Sequence, residues 1–137
     1  MTDTIEAREF SFPSSPENVL MVDSFIEQVK QELPIPDAIA GNILVALTEA
    51  ASNCIYHGNH SDPNKMVKMS VEPQGDKMIF TVEDQGAGFD FDHVADPTAP
   101  ENIDKPTGRG IFLMRNLADE VNYQNGGNKV SLVFRLV

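Results

Sequence analysis

Three features of this chain have the residue types and spacing to do chemistry. Glu49 and Asn53 stand four residues apart in LTEAASNCIYHG. Downstream come the glycine-rich run Asp84-Gln85-Gly86-Ala87-Gly88 and then Thr107-Gly108-Arg109-Gly110. A carboxylate and an amide oxygen one helical turn apart suit a hard cation that keeps several of its waters, and Mg²⁺ beside substrate phosphates behaves this way. Glycines serve turns more often than ligands, and a Glu/Asn pair can be a solvated helix face. Together and in this order they are a nucleotide-site signal.

The elements that must position these residues follow from periodicity. From Pro36-Asp37 to Gly58 the apolar or small residues Ile43, Leu44, Leu47, Ala50, Ala51, Cys54 and Ile55 gather on one face of a 3.6-residue wheel. Glu49, Asn53 and Tyr56 fall on the other side, flanked by Ala46 and His57. The short polar residues Ser52, Asn53, His57 and Asn59 at its end are unlike the Lys, Glu and Arg of an ordinary wet face. In Lys77–Asp84 strand alternation puts Asp84 on the same face as Met78, Phe80 and Val82. A carboxylate aimed at the apolar side needs a donor. It either opens a turn with Gly86 or accepts from the exocyclic amine of a bound base, with Gly86 and Gly88 letting backbone approach closely.

Thr107 is placed as the N-cap of an apolar helical run, Ile111 to Leu117. Free N–H groups at such a start, with Gly108, Arg109 and Gly110, can cradle phosphate. Neither G-x-x-x-x-G-K-[ST] nor G-x-G-x-x-G occurs.

Over roughly residues 10 to 137 the chain resembles the GHKL ATPase superfamily of gyrases, histidine kinases and mismatch-repair ATPases, and within it the anti-sigma-factor serine/threonine kinases. Glu49 to Asn53 with His57-Gly58 matches the N box, Asp84 to Phe89 the first glycine box, and Gly108-Arg109-Gly110 the second. The resemblance implies ATP and Mg²⁺ as cofactors, with Asn53 on Mg²⁺, Asp84 on the adenine amine and Glu49 as general base. It also implies a lid over residues 90–107. Many relatives have Thr after the glycine that precedes the last strand, where it helps hold adenine through water; here Gly127 is followed by Asn128. The implied function is phosphorylation of a small antagonist protein in a partner-switching system, with a sigma factor and a homodimer as further possible partners. A nucleotide-gated interaction module with little catalysis uses the same pocket and stands as the alternative.

Bulk properties agree. The chain has 137 residues, 41% hydrophobic, which fits one domain with a real core, and residues 1–7 are expected to be a flexible N-terminus. A net charge of −11 disfavours nucleic acid or an anionic membrane as partner. The lone Cys54 precludes an internal disulfide and reads as a packed thiol. With a polar start and no signal peptide, the expected location is the cytoplasm.

Strands are expected at Arg8–Phe12, Met66–Glu72, Lys77–Glu83, around Val121 and Tyr123, and from Val130 to Leu136, with Ser14 or Ser15 capping a first helix. The expected fold class is α+β: a two-layer α/β sandwich with helices on one face of a mixed, largely antiparallel sheet. His60 and His93 read as exposed loop residues.

Overall fold

The structure, a computed structural model, describes residues 8–89 and 109–136. Its elements in chain order are β1 (Arg8–Pro13), α1 (Met21–Glu32), α2 (Asp37–Asn53), β2 (Met66–Gln74), β3 (Lys77–Glu83), α3 (Arg109–Leu117), β4 (Glu120–Gln124) and β5 (Lys129–Arg135). Short turns intervene, a 3-10 turn at Pro16–Leu20, a π turn at Cys54–Gly58 and a 3-10 turn at Asn125–Gly127. The sheet order is β1-β2-β3-β5-β4. Every strand pairing is antiparallel, so the expected mixed sheet is corrected to a wholly antiparallel one among the described residues. Chain direction relative to a neighbour is set by the connections, which strand alternation does not report.

Alternation does decide which side chains face inward. Val67, Met69 and Val71 of β2, Met78, Phe80 and Val82 of β3, and Val130, Leu132 and Phe134 of β5 are all buried. Against them lie Val22, Phe25, Ile26 and Val29 of α1 and the long apolar stripe of α2. Phe80 sits edge-on between Phe25 and Phe134, at ring-centroid distances of 6.4 and 6.0 Å. Each fully buried side chain such as Ile43 or Leu47 stabilises the fold by about 1.5–3 kcal/mol relative to exposure. Residues 37–58 are long and apolar enough, by length and composition, to cross a membrane. In this fold they form the central core helix and its final turn.

The strands expected at Met66–Glu72 and Lys77–Glu83 form a hairpin, and β2 runs two residues further than expected, with Gln74 paired to Lys77 around Gly75-Asp76. The cap expected from Ser14 or Ser15 is absent: neither side chain caps the first turn. Ser14 is fully buried and donates instead to Lys65 O at 2.8 Å.

Two expectations about α2 change. The α-helix stops at Asn53 and continues as a π turn, with Asn59 N donating to Cys54 O five residues back. Ala46, expected on the wet side, is fully buried because α3 packs along that side of α2. Periodicity within one helix gives the stripe that meets the sheet and says nothing of a second helix arriving from elsewhere.

Candidate nucleotide site

A cavity of about 280 Å³ opens between the end of α2, the loop after β3, the start of α3 and the β4–β5 turn. Its size is near the lower end of small-molecule pockets, roughly 300–1,000 Å³. Asn53, Asp84, Gly88 and Gly110 line it, together with Cys54, Gly58, Tyr123 and Asn128. Four segments far apart in sequence thus converge on one space.

Asp84 lies where strand parity puts it, on the inner face and only 7% exposed. Its backbone N–H donates to Asn128 O at 2.9 Å, and its Oδ1 accepts from Gly86 N at 2.7 Å. The side chain therefore opens a turn with Gly86, the first of its two readings, and it also faces the cavity, where a carboxylate keeps lone pairs for a further donor. Burial raises its pKa above the ordinary carboxyl value, opposed by the Gly86 N–H and the neighbouring Cys54 thiol; Glu83 adds to the rise and Lys65 opposes it. Burial, and then the Asp84 charge, push the Cys54 thiol well up, so it stays protonated. The expected packed thiol is correct, and it also forms part of the cavity wall.

A pKa raised on folding means that ionising Asp84 costs the folded state stability as pH rises through the folded pKa; the cost is absent below the unfolded value. The uncharged variant Asp84→Asn is therefore expected to melt at a higher temperature than the parent near about pH 7, and to lose that advantage below about pH 4. Thermal melts across this pH range measure it. A parent and variant that melt alike at every pH would remove the burial cost.

The loop after β3 is clamped from two sides. Asn59, expected among the polar residues of a cation-friendly helix end, is instead fully buried. Its Oδ1 accepts from Gln85 N at 2.8 Å, and its Nδ2 donates to Ser14 Oγ at 2.6 Å and Met66 O at 3.0 Å. On the other side Asn128 Nδ2 donates to Gly86 O at 3.2 Å, and Phe89 N donates to Gly126 O at 3.0 Å. Gly88, at φ +85°, has no room for a side chain against Gly126 O. Phe89 then stands edge-on to Tyr123, centroids 5.2 Å apart, as a side wall of the cavity. Burial raises the Tyr123 hydroxyl pKa, which keeps it neutral.

Removing the Asn59 amide strands Gln85 N–H and Met66 O, and buried groups left unpaired cost about 1–3 kcal/mol each. Asn59→Ala is expected to lower unfolding free energy by roughly 2–4 kcal/mol in urea titration. A change within ~0.5 kcal/mol, the size of an ordinary surface substitution, would mean that the clamp carries no load.

Glu49 and Asn53 are half-buried on the side of α2 that meets α3. A methyl group on Gly110 would lie 2.8 Å from Glu49 Oε2 and 3.3 Å from Asn53 Nδ2. The backbone at the start of α3 thus comes down close to both polar groups, and a side chain at 110 would make the Glu49 carboxylate shift. Glu49 stands at this edge without lining the cavity, and Gly86 packs against Gly58 O beside Asp84. Thr107 and Gly108 lie outside the described residues, as do the expected lid over 90–107, His93 and the side chain of Arg109. His60 is exposed, as expected.

The cavity suits a purine nucleotide: one buried carboxylate as acceptor, a narrow apolar slot and glycine backbone at the rim. Among the described residues no group of three His, Cys, Asp or Glu side chains converges. A cation beside Asn53 would therefore draw most of its shell from phosphate and water, which is how Mg²⁺ is usually held. Sequence reasoning placed Asp84 and the Glu49–Asn53 pair, reached Gly58 and Phe89 only as letters of the matched boxes and Asn59 only as a polar residue at the helix end, and missed Tyr123 as part of the site. Tyr123 alone had a local signal, since it shares strand parity with Val121.

A three-helix layer over an antiparallel sheet, with a nucleotide-sized cavity between the long helix and a glycine loop, defines an α+β ATPase domain. The family described as histidine kinase-like ATPase domain matches residues 12–134, and the chain belongs to that family. It is 32% identical over 117 residues to an anti-sigma F factor from Geobacillus stearothermophilus, covering 82% of this chain and 76% of that protein. It is 27% identical over 131 residues to the serine-protein kinase RsbW from Bacillus subtilis (strain 168), covering 91% of this chain and 82% of that one. A crystal structure of the RsbU and RsbW domains of a Mycobacterium tuberculosis protein superposes with a TM-score of 0.64 at 15% identity, over 95% of this chain. This chain spans 32% of that longer one, and the likeness concerns the fold alone.

Proposed function

We propose that this protein is an ATP-dependent serine/threonine kinase that phosphorylates and binds a small antagonist protein in a partner-switching regulatory system. The single observation that carries the reading is one cavity that Asp84, Asn53 and Gly110 line together, with Glu49 beside Gly110 at its edge. Relatives with the names anti-sigma F factor and serine-protein kinase RsbW support it.

Bound ATP supplies the phosphoryl group, and Mg²⁺ offsets the charge that builds on it. Asp84 accepts from the exocyclic amine and so selects adenine. Gly86 and Gly88 keep the loop backbone close around the base. Asn53 holds the cation through its amide oxygen. Thr107, Gly108, Arg109 and Gly110 present N–H groups and a guanidinium to the phosphates at the start of α3. Glu49 takes the proton of the attacking hydroxyl as that oxygen bonds to phosphorus and ADP departs. Residues 90–107 act as a lid that excludes water, and the location is cytoplasmic. A sigma factor and a second copy of the chain are the further proposed partners.

Mixing the protein and radiolabelled ATP with a candidate antagonist tests the assignment. Label on a Ser or Thr of the antagonist is the expected result. Nucleotide-dependent binding without transfer of label would replace the kinase by a nucleotide-gated interaction module.

A further inference from the structure

Gly58 ends the π turn, and its φ is not among the positive values that favour glycine, which are confined to Gly75, Gly88, Gly126 and Gly127 among the described glycines. The backbone does not require glycine there; the space does. A methyl group on Gly58 would overlap Oδ2 and Cγ of Asp84 and lie 2.7 Å from Oδ1. Gly58 O in turn rests against Gly86, which also has no room for a side chain. All three of the nearest atoms belong to the end of one side chain.

We infer that Gly58 is a positioning residue that fixes base selectivity: its bare Cα is the seat on which the Asp84 carboxylate is set toward the cavity. The wider π turn brings that Cα up to Asp84. With any side chain at 58, the cheapest response is rotation of the carboxylate, because the Asp84 backbone is tied to Asn128 O and cannot follow. The carboxylate then leaves Gly86 N–H and no longer meets an exocyclic amine. This inference rests on the reading of Asp84 as the acceptor for that amine.

The test is a double-mutant cycle read in two ways. In calorimetry the parent is expected to prefer ATP over purine riboside triphosphate, which lacks the 6-amino group, by roughly 10- to 100-fold, the scale of a charged hydrogen bond. Gly58→Ala should bring the two nucleotides to near parity by weakening ATP alone. In the Asp84→Ala background the same substitution should change neither affinity, because the clashing atoms are gone. Thermal melting should follow the same cycle, with Gly58→Ala lowering the midpoint of the parent and leaving that of Asp84→Ala unchanged. Retained discrimination in Gly58→Ala, or additive losses in the double variant, would overturn the inference. Should Gly58→Ala fail to fold, a folded double variant supports the seat and an unfolded one overturns it. A parent that binds both nucleotides equally removes the amine reading instead, and the melting cycle, which needs no nucleotide, still decides the seat.

Discussion

Glu49→Gln is expected to keep Mg·ATP binding while lowering phosphoryl transfer by ~10²–10⁴-fold, the range for loss of a positioned general base. The substitution keeps shape and hydrogen-bonding reach but removes the only proton-accepting charge that Glu49 contributes. Glu49 Oε2 meets the start of α3 at Gly110 and does not line the base cavity, so base recognition at Asp84 is untouched. Asn53→Ala provides the contrast. It removes the amide oxygen proposed for the cation and should lose affinity only when Mg²⁺ is present. Calorimetry with and without Mg²⁺, paired with single-turnover transfer of label, separates the two. Transfer at the parental rate in Glu49→Gln would leave that carboxylate as a packing group under α3.

Asp84→Ala should weaken ATP by roughly 10- to 100-fold, since a hydrogen bond to a charged group contributes about 1.5–3 kcal/mol. The same geometry is expected to exclude GTP from the parent. Guanine would turn a carbonyl oxygen toward a carboxylate already committed as an acceptor, leaving two buried acceptors facing each other. The preference should shrink sharply in the variant, because the discriminating group is gone. Titration of parent and variant with both nucleotides checks this, and comparable affinities of ATP and GTP for the parent would remove Asp84 from base recognition. The same carboxylate is expected to cost the empty protein stability, so binding gain and folding cost trace to one buried charge.

Much of this site was legible in the residues. Strand alternation has a period of two, so Met78, Phe80 and Val82 determined that Asp84 faces inward. The apolar repeat of α2 likewise determined that Ile43, Leu47, Ala50, Ala51 and Cys54 meet the core, and the order of the glycine boxes pointed to a nucleotide. These are local rules, decided by the backbone geometry of one element. What α2 meets on its other side is not local: Ala46 is buried, and Glu49 and Asn53 are half-covered, because α3 arrives from more than fifty residues downstream. The place of β5 between β3 and β4 is also a matter of connection, and it brings Asn128 against Asp84 and Gly86. Asn59 read as one of the polar residues at the helix end and proved to be a buried clamp, since an amide carries no pattern that announces three partners from Ser14, Met66 and Gln85. Gly58 could be read only as a motif letter. Its role depends on a π turn and on a carboxylate about twenty-six residues away, and only the packed tertiary structure, which sets the Asp84 carboxylate against that Cα, decides that a Cβ there would displace it.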